Sequence, residues 1–272
     1  MNPKDDPLFT LPPESYQFRS HRKKGRRKVA DQDVREQGDY CFVDGEVYVR
    51  VTSALKVLDK PMLGVWKCKQ VYLAATADPT ISMSEALKAP DQIADVSRKR
   101  GTTAHSVIEA YEHTQQFLDN VDESIRGFVQ GFRQWVTDYS VEIIEHERKM
   151  VSRKFGFGGK MDLLVRINGN PLPAVVDAKF SKSIYPESFL QTSAYRQLLK
   201  EQGVETCGGA TLALQEDGGY KYEFDPTDYF RQFYACLVLF NWQHADEIEN
   251  LRRRVRNGGN GNGKTSIQRP GS

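Results

Sequence analysis

The chain has 272 residues, 39% hydrophobic and 27% charged, with a formal net charge of +2. That supplies one large core or two small ones, and no overall polyelectrolyte character that would by itself name a partner. The opening MNPKDDPLFT has no apolar signal core, and no run approaches the ~18 apolar residues of a membrane span, so a soluble, cytoplasmic chain with no membrane partner is expected. Cys41, Cys68, Cys207 and Cys236 are far apart and form no CxxC pair, which speaks for reduced core thiols and against a zinc or iron–sulfur site. The charge is uneven: residues 22–28 read RKKGRRK, and Arg252, Arg253, Arg254 and Arg256 cluster near the end. Such blocks are usually solvated and sometimes meet phosphates.

Residues 1–38 are polar, basic and proline-containing, and read as a flexible basic arm. From Tyr40 to Val51 the pattern alternates around Asp44-Gly45, a hairpin signal. Thr52 or Ser53 then caps a short helix, and residues 60–75 form another, with Leu63, Trp66, Val71 and Leu73 available for packing. A helix starts near Met83, interrupted by Pro90. Residues 91–100 are helical, and Gly101-Thr102-Thr103 opens a new helix, AHSVIEAYEHTQQFL, with Thr102 or Thr103 as cap. Residues 122–139 place Ile125, Phe128, Val129, Phe132, Trp135 and Val136 at helical spacing. Strands follow over 141–151, 160–167 and 172–180, then a helix over 187–200. A hairpin around Asp217-Gly218-Gly219 comes next. One long helix from Pro226 carries Phe233, Leu237, Phe240, His244, Ile248 and Leu251 on a stripe. Residues 257–272 read as a low-complexity, disordered tail. The order implies an α/β (α+β) chain: a single domain over 39–256 with a mixed central sheet flanked by helices. Within it, 39–100 hold the first hairpin and helices, and 101–256 the core.

Two of these strands carry an aspartate inside an apolar run, where acids are disfavoured. A four-residue loop over Asn168 to Pro171 sets Ile167 opposite Leu172 and, counting back, Asp162 opposite Asp177. Any even-length loop keeps both on one face, whereas a one-residue slip separates them. Alternation groups Asp162 with Leu164 and Arg166, opposite Met161, Leu163, Val165 and Ile167. It groups Asp177 with Val175 and Lys179. Directly opposed like charges need a compensating cation, either Lys179 or a hard divalent metal. The bland alternative is an ion pair of Asp162 and Lys179 at a sheet edge. His105 and Glu109 lie i,i+4 on one helix, as do Gln191 and Tyr195 on another, so each pair shares a side.

The set His105, Gly159-x-x-Asp162, Asp177-x-Lys179 and Gln191-x-x-x-Tyr195 resembles the PD-(D/E)XK nuclease superfamily, in particular its RecB-like exonuclease branch. The segment VTSALKVLDKPMLGVWKCK is similar to the entry helices of phage-type and mitochondrial genome-maintenance exonucleases. The resemblance covers Val51 to Leu199 and implies a restriction-endonuclease-like core with a helical N-terminal region. It implies one or two Mg²⁺ or Mn²⁺ ions on Asp162, Asp177 and His105, with the backbone carbonyl of Ala178 assisting. Lys179 would orient or deprotonate the attacking water and stabilise phosphorane charge. Gln191 and Tyr195 would position DNA or brace the site. Glu109 and Glu147 are supporting candidates outside the family's secure ligand set. The sequence departs from the common DWKTS, reading DAKFSKS, and lacks the C-terminal cysteine triplet of the iron–sulfur subgroup, so no cluster is expected.

The implied activity is exonucleolytic hydrolysis of DNA at single-stranded or frayed ends in replication, recombination or repair. The compact size fits a phage-encoded, nucleoid-associated enzyme with a recombination or replication protein as partner. A structure-specific endonuclease of the same fold and a catalytically inactive DNA-binding module are the alternatives; the intact core positions speak against the second. Trp66, Tyr111 and Phe117 are candidates for stacking on bases. Polarity, processivity, RNA preference and oligomeric state are not legible.

Overall fold

The computed structural model describes residues 34–110 and 121–257. Most of the basic arm, the low-complexity tail after residue 257, Tyr111 and Phe117 lie outside these residues, as does the side chain of Glu109. The chain begins with three short strands, β1 (Arg35–Gln37), β2 (Tyr40–Val43) and β3 (Glu46–Arg50). Residues 34–38, read above as the end of the arm, are thus part of the sheet: Glu36 pairs with Cys41, and Val34 is buried. Asp44 and Gly45 take φ of 50° and 77°, the left-handed pair that a two-residue hairpin turn demands. Helices α1 (Val51–Ala54), α2 (Pro61–Ala77), α3 (Met83–Ala86), α4 (Ala89–Ala110) and α5 (Glu123–Asp138) follow. Then come β4 (Glu142–Ser152), β5 (Phe157–Arg166), β6 (Ala174–Phe180), α6 (Glu187–Glu201), β7 (Gly208–Leu214), β8 (Tyr220–Asp225), α7 (Phe230–Gln243) and α8 (Ala245–Arg256). Among the described residues no helix is long and apolar enough to cross a membrane.

The strands form one mixed sheet in the order β1-β2-β3-β5-β6-β7-β8, with β4 also paired to β5. The β3–β5 and β6–β7 pairs are parallel and the others antiparallel. Each face carries its own core, as an α/β arrangement requires. On one face Leu164 and Val175 pack with Tyr195 and Leu198 of α6 and with Phe233, Leu237 and Phe240 of α7. On the other, Leu163, Val165, Val176 and Leu212 pack with Phe128, Phe132 and Trp135 of α5. The α5 stripe matches its sequence period, and Asp122 caps the helix by accepting from the Ser124 N–H at 2.8 Å.

Five local features differ from the sequence expectation. Helix α1 runs straight off β3, and Ser53 donates from inside it to Asp39 at 2.9 Å instead of capping it. Helix α2 buries none of its residues: Leu63 and Leu73 are exposed, because its apolar residues surround the helix instead of lining one stripe. Pro90 lies in the first turn of α4, where its missing N–H costs nothing. The same helix continues through Gly101, and Thr102 and Thr103 bond back to the carbonyls of Arg98 and Lys99 at 3.0 and 3.1 Å. Finally, the last long helix is two. His244 breaks it with φ −113° and ψ 20°, its ring stacked on Phe240 at 4.2 Å.

Helix α5 meets the β7–β8 turn at two glycines. A Cβ at Gly127 would stand 1.9 Å from the carbonyl oxygen of Glu216, and one at Gly131 would stand 2.6 Å from that of Gly219. Gly127→Ala should therefore destabilise the protein by roughly 3 kcal/mol, despite the ~1 kcal/mol that helix propensity favours alanine. Denaturant titration measures it; an unchanged or raised midpoint would show that the turn yields freely.

Candidate metal centre

The centre is assembled at the middle of β5. The hairpin turn to β6 has Asn168 and Gly169 at φ 51° and 71°, closed by the Asn170 N–H donating to Ile167 O at 2.9 Å. Leu172 N–H then donates to the Asn170 side chain at 3.0 Å, and this bend takes up two further residues before β6 starts. The ladder is consequently that of the four-residue loop: Val165 pairs with Ala174, Leu164 with Val175 and Leu163 with Val176. One step further, Asp162 stands across from Asp177.

Regular pairing stops at that step. Asp162 Oδ2 accepts from the backbone N–H of Ala178 at 2.9 Å, so a carboxylate bridges the two strands where they part. The strand also rolls here. Alternation grouped Met161 with Leu163, yet Met161 packs in the Tyr195 core and Leu163 in the Trp135 core. That corrects the facial grouping while leaving the two aspartates together. The two carboxyls are near enough that each shifts the other's ionisation.

On the other side of β5, His146 pairs with Leu163 and Arg148 with Met161, which sets Glu147 across from Asp162. Glu147 has φ +54°, left-handed for a non-glycine residue in a strand, a conformation that costs of order 1–3 kcal/mol. A register shift between Ile143 and Glu145 precedes it. Three acids from β4, β5 and β6 thus lie abreast. The hairpin that closes at Ser152 and Phe157 permits the same counting-back that aligns the aspartates, and it was the missed signal for Glu147.

His105 arrives from α4. Gly101 of that helix lies against the Phe180 ring, a Cβ there being 3.4 Å from it, and the His105 ring meets Phe180 edge-on at 4.8 Å. The last residue of β6 thereby seats the helix. His105, Glu147 and Asp162 each offer a ligand atom, all within 4.8 Å of one another, in a partly buried cluster that could hold a metal ion.

Lys179 lies 2.8 Å from both Asp177 oxygens, but only Oδ1 receives well-directed hydrogen bonds, from Lys179 and from Gln191 Nε2 at 2.6 Å. Asp177 Oδ2 is buried without a hydrogen-bond donor. Gln191 Oε1 accepts from Lys179 at 3.2 Å. Gln191 and Tyr195 are both buried, at 7% and 3% exposure. Gly159 leaves space for the Tyr195 hydroxyl, which would lie 3.0 Å from a Cβ at that position.

Burial pushes Asp162 up, against the opposing charge of Lys179. Burial also raises Asp177 to about 6, opposed by Lys179 and reinforced by Asp162. For Lys179, burial alone would lower the ammonium, but Asp177 and Asp162 outweigh it and hold the group above its ordinary value. The free protein therefore keeps Lys179 charged, unlike a lysine that desolvation has deprotonated. Two carboxyls and one imidazole converging in a partly buried cluster are a donor set that could bind a metal ion.

No family model matches this chain, and no curated protein does. Among solved structures it is similar to the alkaline exonuclease LHK-Exo from Laribacter hongkongensis. The TM-score is 0.41 at 13% identity, covering 78% of this chain and 94% of that one. The same exonuclease in complex with dAMP gives a TM-score of 0.38 at 13% identity over 77% and 94% of the two chains.

Proposed function

We propose that this protein is a divalent-metal-dependent deoxyribonuclease that hydrolyses phosphodiester bonds from a single-stranded or frayed DNA end. The observation that carries the reading is the row of Glu147, Asp162 and Asp177 on adjoining strands, with Lys179 beside the last. Phosphodiester hydrolysis needs a cation at the scissile phosphate, and three acids abreast are costly without one.

Asp162, Asp177, Glu147 and His105, with the backbone carbonyl of Ala178, would hold one or two Mg²⁺ or Mn²⁺ ions. When bound, such ions neutralise the phosphate and ease ionisation of the attacking water. Lys179 supplies a fixed positive charge at the edge of this cluster and orients the water through its N–H groups. Gln191 clamps Asp177 and Lys179 together. Tyr195 braces the β5 backbone at Gly159.

A cleft of about 460 Å³ between α1 and α2, lined by Thr52, Lys56, Lys60 and Lys67 over Leu55, Leu58 and Leu63, offers a path for the strand. Lys60 pairs with Glu187 of α6 at 3.0 Å, and Glu187 contributes to the field at Lys179, so the cleft adjoins the centre. Lysines over an apolar floor suit a phosphate backbone and its sugars. Trp66 on the neighbouring helix is partly exposed and available for stacking. A role in replication, recombination or repair, and a phage source, accord with this chemistry.

Digestion of 5′- and 3′-labelled single- and double-stranded DNA with Mg²⁺, Mn²⁺ or EDTA tests the reading. Metal-dependent release of short products from linear strands is expected, with closed single-stranded circles resistant. Rapid cutting of circles would make it an endonuclease. Lys179→Met should lower turnover at least about a hundredfold with an unchanged circular-dichroism spectrum, the scale expected for removing an electrostatic stabiliser. A fully active variant would remove Lys179 from the mechanism.

A further inference from the structure

Lys160 has no part in the chemistry described so far, yet its ammonium is ion-paired with Glu147, one of the three clustered ligands. It precedes Asp162 by two residues on β5 and lowers that carboxyl by its charge. Glu147 is 15% exposed and Lys160 38%, so the pair bridges the inside of the cluster and the solvent. We propose that Lys160 is an exchanging cation of the metal centre. It neutralises Glu147 in the free protein, leaves when a divalent cation enters, and then engages a phosphate of the bound strand. The proposal rests on the nuclease reading above.

Three considerations carry it. An ammonium and a divalent cation repel each other at the same carboxylate, so the two occupancies compete. Glu147 is held in a left-handed conformation inside a strand, a cost that marks its carboxylate as placed for a purpose beyond pairing with a half-exposed lysine. And the lysine stem is long and flexible, its outer end reaching solvent at the edge of the cluster, where a polyanion bound at the centre would pass. A protein built this way avoids leaving Glu147 uncompensated beside the two aspartates between turnovers. It also gains a phosphate contact only when the metal is loaded.

The test is calorimetric titration of Mn²⁺ into the full-length wild type and into Lys160→Met, Lys160→Arg and Lys149→Met. The last changes the cross-strand neighbour of Lys160, an exposed lysine outside the cluster. Lys160→Met should bind Mn²⁺ about fivefold more tightly, the scale of one partly exposed ion pair. Lys160→Arg and Lys149→Met should match the wild type. In the same proteins Lys160→Met should raise KM for single-stranded DNA severalfold at saturating Mn²⁺, with kcat changed less. Thermal melts confirm that each variant is folded. Equal or weaker Mn²⁺ binding by Lys160→Met overturns the proposal while leaving the nuclease reading in place. Absence of Mn²⁺ binding by the wild type overturns both.

Discussion

Asp162→Asn should abolish metal-dependent cleavage and, at the same time, make the metal-free protein more stable at neutral pH. The first effect follows from losing the carboxylate at the centre of the row between Glu147 and Asp177. A loss of at least about a thousandfold is expected, comparable to removing a principal electrostatic stabiliser. The second follows from the same geometry. An asparagine oxygen can still accept from the Ala178 N–H, so the strand bridge survives. What disappears is a negative charge beside Asp177, whose own pKa burial and Asp162 together raise to about 6.

The Asp177 carboxyl ionises near 3.8 in the unfolded chain and near 6 in the folded one, so the folded state binds the extra proton between those values. Its contribution to stability is full below pH ~4 and is lost as pH rises through ~6. Above that, an ionised Asp177 is held in a buried site beside the Asp162 carboxyl. Removing the Asp162 charge should return about 1–2 kcal/mol at pH 7, less than the full shift because burial persists. That is a rise of roughly 2–8 °C in melting temperature for a chain of this size. At pH 4 the gain should vanish. A lower melting temperature at pH 7 would mean that Asp162 serves as an ordinary ion-pair partner for Lys179, and the metal-site reading would lose its electrostatic basis.

Divalent-cation binding should run the other way with pH. A ligand carboxyl must shed its proton to coordinate, so affinity falls as pH drops through the pKa. With Asp177 near 6 and Asp162 also raised, Mn²⁺ affinity should climb as pH rises through 6 and these carboxyls lose their protons. Below pH 6 it should fall about tenfold for each unit and each proton displaced. Titration in two buffers of different ionisation enthalpy counts the protons released. About half a proton per ion is expected from Asp177 at pH 6, with Asp162 adding to it, and less at pH 7.5. Binding that is flat from pH 5 to 7.5 would contradict this arrangement of ligands.

Much of the frame is local and was legible. Asp44-Gly45 and Asn168-Gly169 turn because left-handed dihedrals come cheaply to those residues, and each turn sets the register of its strands. That register, with a side-chain period of two, is enough to oppose Asp162 and Asp177. The α5 stripe was legible for the same reason, since Phe128, Phe132 and Trp135 repeat at the helical period against one flat partner. Helix α2 was not legible, because apolar content alone does not decide burial, which depends on what lies alongside.

The row of acids therefore has two origins. A short turn and strand alternation are short-range constraints, and they suffice to bring Asp162 and Asp177 together. What surrounds the pair depends on contacts distant in the chain. Glu147 is aligned by counting back from Ser152 and Phe157, but takes a left-handed conformation there that no propensity announces. His105 joins because Gly101 lets α4 rest on Phe180. Lys179 stays charged because two buried carboxylates outweigh its desolvation. These depend on long-range packing and on the low local dielectric, and both arise only once the sheet is covered on its two faces.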